Sequence, residues 1–173
     1  MIGGGGRPLL FLDVDGPLLP FGASAGTHPW RTGPDAHLAR LSPEAGRRLA
    51  ALPCALVWAT TWGDLANTEI APRIGLPRLP VVGWPEPSED HERVDHWFGL
   101  HWKTRALVDW AAGRPFAWVD DEITGADREW VLAHHGDRAV LHRVDPSRGL
   151  TDADFTALDQ ALRALWAHGQ GGP

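Results

Sequence analysis

An α/β fold, a Rossmann-like three-layer sandwich with a parallel sheet, is predicted for this 173-residue chain. Three features carry the prediction. Short unbroken apolar runs alternate with longer amphipathic ones, which is the pattern of buried parallel strands and their covering helices. Helix start and stop signals fall between the apolar runs. Several apolar runs stop at carboxylates or threonine, as strand tips do where such sheets carry their chemistry.

Taken in order, Pro8 to Asp13 reads as the first strand, apolar up to Leu12. Ser42, Pro43 and Glu44 open a helix, with serine as N-cap and proline at the first helical position. Its apolar face runs through Ala45, Leu49 and Leu52. Cys54 to Ala59 reads as the second strand, Asp64 to Ile74 as a helix stopped by Gly75, and Leu79 to Val82 as a short third strand. Trp84 to His101, rich in charge and proline, reads as a less regular insert. Trp102 to Ala112 then forms a helix closed by Gly113. Pro115 to Val119 is the fourth strand, Ala126 to His135 a helix, and Ala139 to Val144 the fifth strand. Thr151 begins a last helix, with Asp154 at the capping-box position, running to about His168.

Right-handed crossovers leave few ways to connect these pieces. The expected sheet has five parallel strands in the order 3-2-1-4-5, with its switch point between strands one and four. The expected organisation is one domain over residues 8–168 with no separate cap domain, a flap at 17–41 and a loop insert at 84–101. Both inserts are too short for a core of their own. The tails 1–7 and 169–173 are expected to be disordered.

Composition narrows the function. The hydrophobic share of 43% suits a single core. No apolar run is long enough to cross a membrane, and residues 1–8 lack a secretory signal, so the expected location is cytoplasmic. Cys54 is the only cysteine, which excludes an internal disulfide and a thiolate zinc cluster. A net charge of -6 argues against a broad grip on nucleic-acid backbone. The chain holds ten tryptophans and no tyrosine, and Lys103 is the one lysine among 16 basic residues.

The strand tips supply the candidate site. Strand one stops at Asp13, Val14, Asp15 and Gly16; strand two at Thr60 and Thr61; strand four at Asp120 and Asp121. Lys103 lies in the first turn of the helix before strand four. Carboxylates gathered in this way repel one another, and a divalent cation is the simplest compensation. All-oxygen ligation favours Mg²⁺. Taken singly, the pieces have plainer readings: Asp13 to Gly16 as a turn, Asp120 and Asp121 as helix caps, Thr60 as a local hydrogen-bonder, Lys103 as a solvated side chain. His91, His96 and His101 recur at a spacing of five, which stacks on no helical face, so a histidine metal site is not expected. A phosphate-accepting receiver module fails on order, since its acidic pair comes first.

In sequence order these segments resemble the four motifs of the haloacid dehalogenase (HAD) superfamily. Asp13 to Gly16 is similar to the first motif, Thr60 to the second, Lys103 to the third, and Asp120-Asp121 to the fourth. Leu56 to Trp62 also resembles HAD domains attached to bacterial RNA-repair proteins. The resemblance implies a Mg²⁺-dependent phosphohydrolase. Asp13 would be the nucleophile that forms an aspartyl-phosphate, and Asp15 the general acid and base. Asp13, the Asp15 carbonyl and Asp120 would ligate the metal, with Asp121 a direct ligand or an orienter of metal-bound water. Thr60, with Thr61 as its rival, would hydrogen-bond a phosphoryl oxygen, and Lys103 would neutralise charge on the others. A compact ammonium suits that task better than a guanidinium. Gly16 would let the backbone turn, and Trp62 would sit at the rim of the site. Phe21, His28, Trp30 and Arg31 on the flap, and Trp84, Trp97 and Phe98 on the loop insert, are substrate contacts or covers for the sheet edge. Expected partners are a phosphorylated small molecule or a nucleic-acid end, with a homodimer as a means of completing an open site.

Overall fold

The computed structural model describes residues 6–22 and 36–170. Among them, β1 (Leu9–Leu12), β2 (Ala55–Trp58), β3 (Phe116–Asp120) and β4 (Ala139–Arg143) form one parallel sheet in the order β2-β1-β3-β4. β1 is flanked on both sides, with Leu9 level with Ala55 in β2 and with Phe116 in β3. Every residue of β1 and β3 is buried, which accounts for the unbroken apolarity of both runs up to the terminal aspartate.

Alternate residues of the strands feed two separate cores. Leu10, Leu12, Ala117 and Val119 face Leu49 of α1 (Pro43–Ala51), Ile74 of α2 (Ala71–Ile74) and Phe155, Leu158 and Leu162 of α6 (Asp152–Gln170). Leu9, Phe11, Phe116 and Trp118 face Leu107 and Ala111 of α4 (Thr104–Ala111) and Val131 of α5 (Gly125–His135). Helices therefore cover both faces, and the three-layer expectation holds. α2 is preceded by a π-helical turn, Ala66–Ile70, and closed by Gly75. No helix among the described residues is long and apolar enough to cross a membrane.

The sheet has four strands among the described residues, where five were expected. Leu79 to Val82 is reduced to a single parallel bridge, Val81 opposite Trp58, on the outer side of β2. Trp58 N donates to the Pro80 carbonyl at 2.9 Å, and Val82 N donates to the Trp58 carbonyl at 2.9 Å. Pro80 has no N–H to give to the next rung, so the ladder cannot lengthen in that direction. The segment nevertheless lies on the side that the order 3-2-1-4-5 anticipates.

The insert at 84–101 is also more regular than expected, because it contains α3 (Glu89–Phe98). Ser88 caps it by accepting from His91 N at 3.2 Å, three acidic residues occupy its first turn, and Gly99 closes it in a left-handed conformation. None of its residues is buried, so the chain shows no apolar stripe there. The last helix runs on through Gly169 to Gln170. Of the proposed flap contacts, Phe21 is exposed, whereas His28, Trp30 and Arg31 lie outside the described residues. Residues 1–5 and 171–173 of the expected tails also lie outside them.

α1 packs closely on α2 through Gly46. A Cβ at this position would fall 1.8 Å from the Ile74 carbonyl oxygen, inside backbone that has no room to yield. Gly46→Ala would gain about 1 kcal/mol of helix propensity but lose about 1–3 kcal/mol or more to overpacking. The overpacking wins. The expected outcome is a melting temperature lowered by several degrees in a thermal unfolding scan; an unchanged or raised one would show that the helices do not meet here.

Candidate active site

The β1–β3 ladder places the two key strand tips together. Asp13 N donates to the Val119 carbonyl at 3.1 Å, so pairing continues one residue beyond β1 and brings Asp13 beside Asp120. Oxygens of Asp13, Asp120 and Asp121 all lie within 4.8 Å of one another. Lys103 enters from the residue before α4, with Nζ 3.0 Å from Asp13 Oδ2 and 2.8 Å from Asp120 Oδ2. The four side chains are buried, Asp120 completely.

Asp13 and Asp120 are each held by more than the ammonium. Asp13 Oδ1 accepts from Val14 N at 2.8 Å. Asp120 Oδ1 accepts from Glu122 N at 3.0 Å, and its Oδ2 from the Trp118 indole at 3.3 Å. Burial pushes the Asp13 carboxyl up to about 6; Lys103 opposes the rise and Asp120 adds to it. Burial, then the neighbouring Asp120 charge, also raises Asp121. Burial works against the Lys103 charge, yet Asp13 and Asp120 outweigh it and hold the ammonium above its ordinary value. Three carboxylates thus share one ammonium, and their negative charge is only partly offset. An all-oxygen, buried and electrostatically strained group of this kind fits a hard divalent cation such as Mg²⁺.

The other expected residues flank this centre. Gly16 adopts φ +92°, and a Cβ there would come within 2.7 Å of Asp121 Oδ1, so the turn and the close approach both require glycine. Asp15 is exposed and outside the carboxylate group; its Oδ2 accepts from the Trp62 indole at 3.0 Å. Thr60 is fully buried and its Oγ1 accepts from Trp62 N at 3.3 Å, while Thr61 is exposed. Trp84 donates to the Thr60 carbonyl at 3.2 Å, which ties the insert to the second strand tip. Trp97 and Phe98 are exposed on α3.

His101, Asp120 and Glu122 form a second close group. Its hydrogen bonding argues against an ion there. His101 Nδ1 accepts from Lys103 N at 3.2 Å, so in the neutral ring Nε2 carries the proton and meets Glu122 Oε2 at 3.0 Å.

Asp127 has a role that the sequence reading missed. It is completely buried, and its carboxylate accepts from His101 N at 2.8 Å, Thr104 Oγ1 at 2.6 Å, Thr124 N at 2.7 Å and Thr124 Oγ1 at 2.8 Å. It thereby joins the start of α4, which carries Lys103, to the loop after Asp120 and Asp121. Thr124 and Asp127 have capping-box spacing, a signal readable in the chain; the bonds to His101 and Thr104 are not.

This sheet order, with carboxylates at adjacent strand tips and a lysine between them, defines a HAD-type α/β domain. Residues 9–155 match the family described as the HAD domain in Swiss Army Knife RNA repair proteins. The chain belongs to that family, and membership supports a hydrolase of the HAD type. No curated protein and no solved structure matches it.

Asp127→Ala would remove four hydrogen bonds at once and leave the buried Thr104 hydroxyl without its carboxylate. It is expected to cost about 3 kcal/mol or more, read as a lower urea midpoint. A loss below about 1 kcal/mol would mean that solvent replaces these bonds and that Asp127 is no staple.

Proposed function

We propose that the chain is a Mg²⁺-dependent phosphomonoesterase that works through an aspartyl-phosphate on Asp13. The observation that carries this reading is the Lys103 ammonium, held 3.0 Å from Asp13 and 2.8 Å from Asp120 at adjoining strand tips. In the first step an Asp13 oxygen bonds to phosphorus as the bond to the leaving oxygen breaks, and Asp15 gives that oxygen its proton. In the second, a water oxygen bonds to phosphorus, the bond to Asp13 breaks, and Asp15 takes the water's proton. Thr60 and Lys103 stabilise charge on the phosphoryl oxygens in both steps. Asp13, Asp120 and Asp121, with the Asp15 carbonyl, would hold Mg²⁺, which when bound offsets the repulsion between anionic nucleophile and anionic phosphate.

The surroundings favour a small organic phosphate. A cleft of about 680 Å³ between α3 and the β3 tip is lined by Glu92, Asp95, His96, His101, Trp102 and Glu122 among others. Asp95 is paired with Arg105, while Glu92 and Glu122 present negative charge that repels a polyanion. Arg47 and Arg48, which could have formed a basic track, are paired with Glu44 and Asp152. A second reading, a phosphatase of nucleic-acid ends, is favoured by the family match to RNA repair proteins.

A panel of phosphorylated metabolites and of 3′- and 5′-phosphorylated oligonucleotides, with and without Mg²⁺, tests both readings. Turnover is expected to require the metal and to favour the small phosphates. Asp13→Asn is expected to lower kcat by about 10³-fold or more with the fold retained, and turnover near the wild-type rate would remove Asp13 from the nucleophile role.

A further inference from the structure

We infer that Trp62 is a positioning residue for Asp15, fixing the acid/base carboxyl through one of its oxygens so that the other transfers the proton. The inference rests on the reading of Asp15 as the acid/base given above. Asp15 is exposed at the rim of the site, where a free carboxylate samples several rotamers in water. Among the described residues, the hydrogen bond to its carboxylate comes from Trp62 Nε1, 3.0 Å from Oδ2.

The choice of donor matters chemically. An indole nitrogen donates and never accepts, so it cannot compete for the proton that Asp15 must hold. The bond also survives the reaction. Oδ2 accepts from the indole when Asp15 is ionised, and it still accepts as a carbonyl oxygen when the proton sits on Oδ1. One contact can therefore hold the carboxyl as donor in the first step and as acceptor in the second.

Trp62 is itself well anchored. It is half-buried and packs against the core on the α1 side of the sheet. Its backbone N–H donates to Thr60 Oγ1 at 3.3 Å, and its carbonyl accepts from Leu65 N at 3.1 Å. The His37 ring lies 6.0 Å from the indole. A residue tied both to the core and to the second strand tip can impose its geometry on Asp15, which stands at the tip of the first.

Trp62→Phe removes the N–H and keeps most of the packing. For this variant, kcat/KM on an alkyl phosphate, whose leaving oxygen needs a proton, is expected to fall about tenfold or more. On 4-nitrophenyl phosphate, whose leaving group needs none, the loss should stay within about threefold. In an Asp15→Asn background Trp62→Phe should change kcat/KM by less than about twofold, because the two act as one unit. No loss in the single variant, equal losses on both substrates, or the same loss in the Asp15→Asn background would each overturn the inference. A melting temperature measured alongside separates these effects from unfolding.

A readout independent of turnover keeps the contact testable. Among the ten indole N–H resonances, Trp62's is the one that vanishes in Trp62→Phe, and Asp15→Ala should move it. An unmoved resonance shows that the contact is absent and overturns the inference. A moved resonance, in a wild type inactive on every phosphate, supports the contact but overturns the phosphatase reading and its acid/base role together.

Discussion

The ammonium of Lys103 between the carboxylates of Asp13 and Asp120 is the interaction on which the rest of the arrangement depends. Buried acids at neighbouring strand tips would otherwise push the tips apart or take up protons; burial, with the Asp120 charge adding to it, raises Asp13 to about 6 against the opposition of the lysine. Much of the surrounding structure serves to keep that cation in place. The β1–β3 pairing continues to Asp13, the Trp118 indole and the Glu122 N–H fix Asp120, and Asp127 pins the start of α4 to the loop behind the acids. A lone lysine in an arginine-rich chain then has a physical explanation, since a planar guanidinium could not sit as a point charge between two carboxyl groups this close.

The layered fold was legible because β1 and β3 are buried on both faces, and a strand in that position is written as an unbroken apolar run. The carboxylate group was legible for the related reason that Asp13 and Asp120 end those runs abruptly. What the sequence hid has equally physical causes. The Leu79 to Val82 run looks like a strand by composition, but Pro80 removes the donor that the next rung of a ladder needs. α3 buries none of its residues, so periodicity could not reveal it, although Ser88 and Gly99 mark its ends. Contacts between distant positions, such as Asp127 with His101 or Trp62 with Asp15, leave no local pattern at all.

Family membership and local chemistry pull the substrate in different directions. The family is that of HAD domains in RNA repair proteins, whereas the cleft beside the acids is itself lined with acids and the chain is net negative. Electrostatics governs nucleic-acid affinity through the number of phosphates contacted. A terminal phosphate presented by a short or partly neutralised end meets less repulsion than a long backbone does. The open rim around Asp15 and Thr61, both exposed, would admit either kind of substrate.

The proposed chemistry requires the tips of β1 and β3 to hold one divalent ion between them. Anomalous diffraction from crystals of the protein grown with Mn²⁺, as a heavier stand-in for Mg²⁺, addresses it most directly. A single strong peak in contact with carboxylate oxygens of both Asp13 and Asp120 is expected. A peak elsewhere, or an ion touching only one of the two, would contradict it.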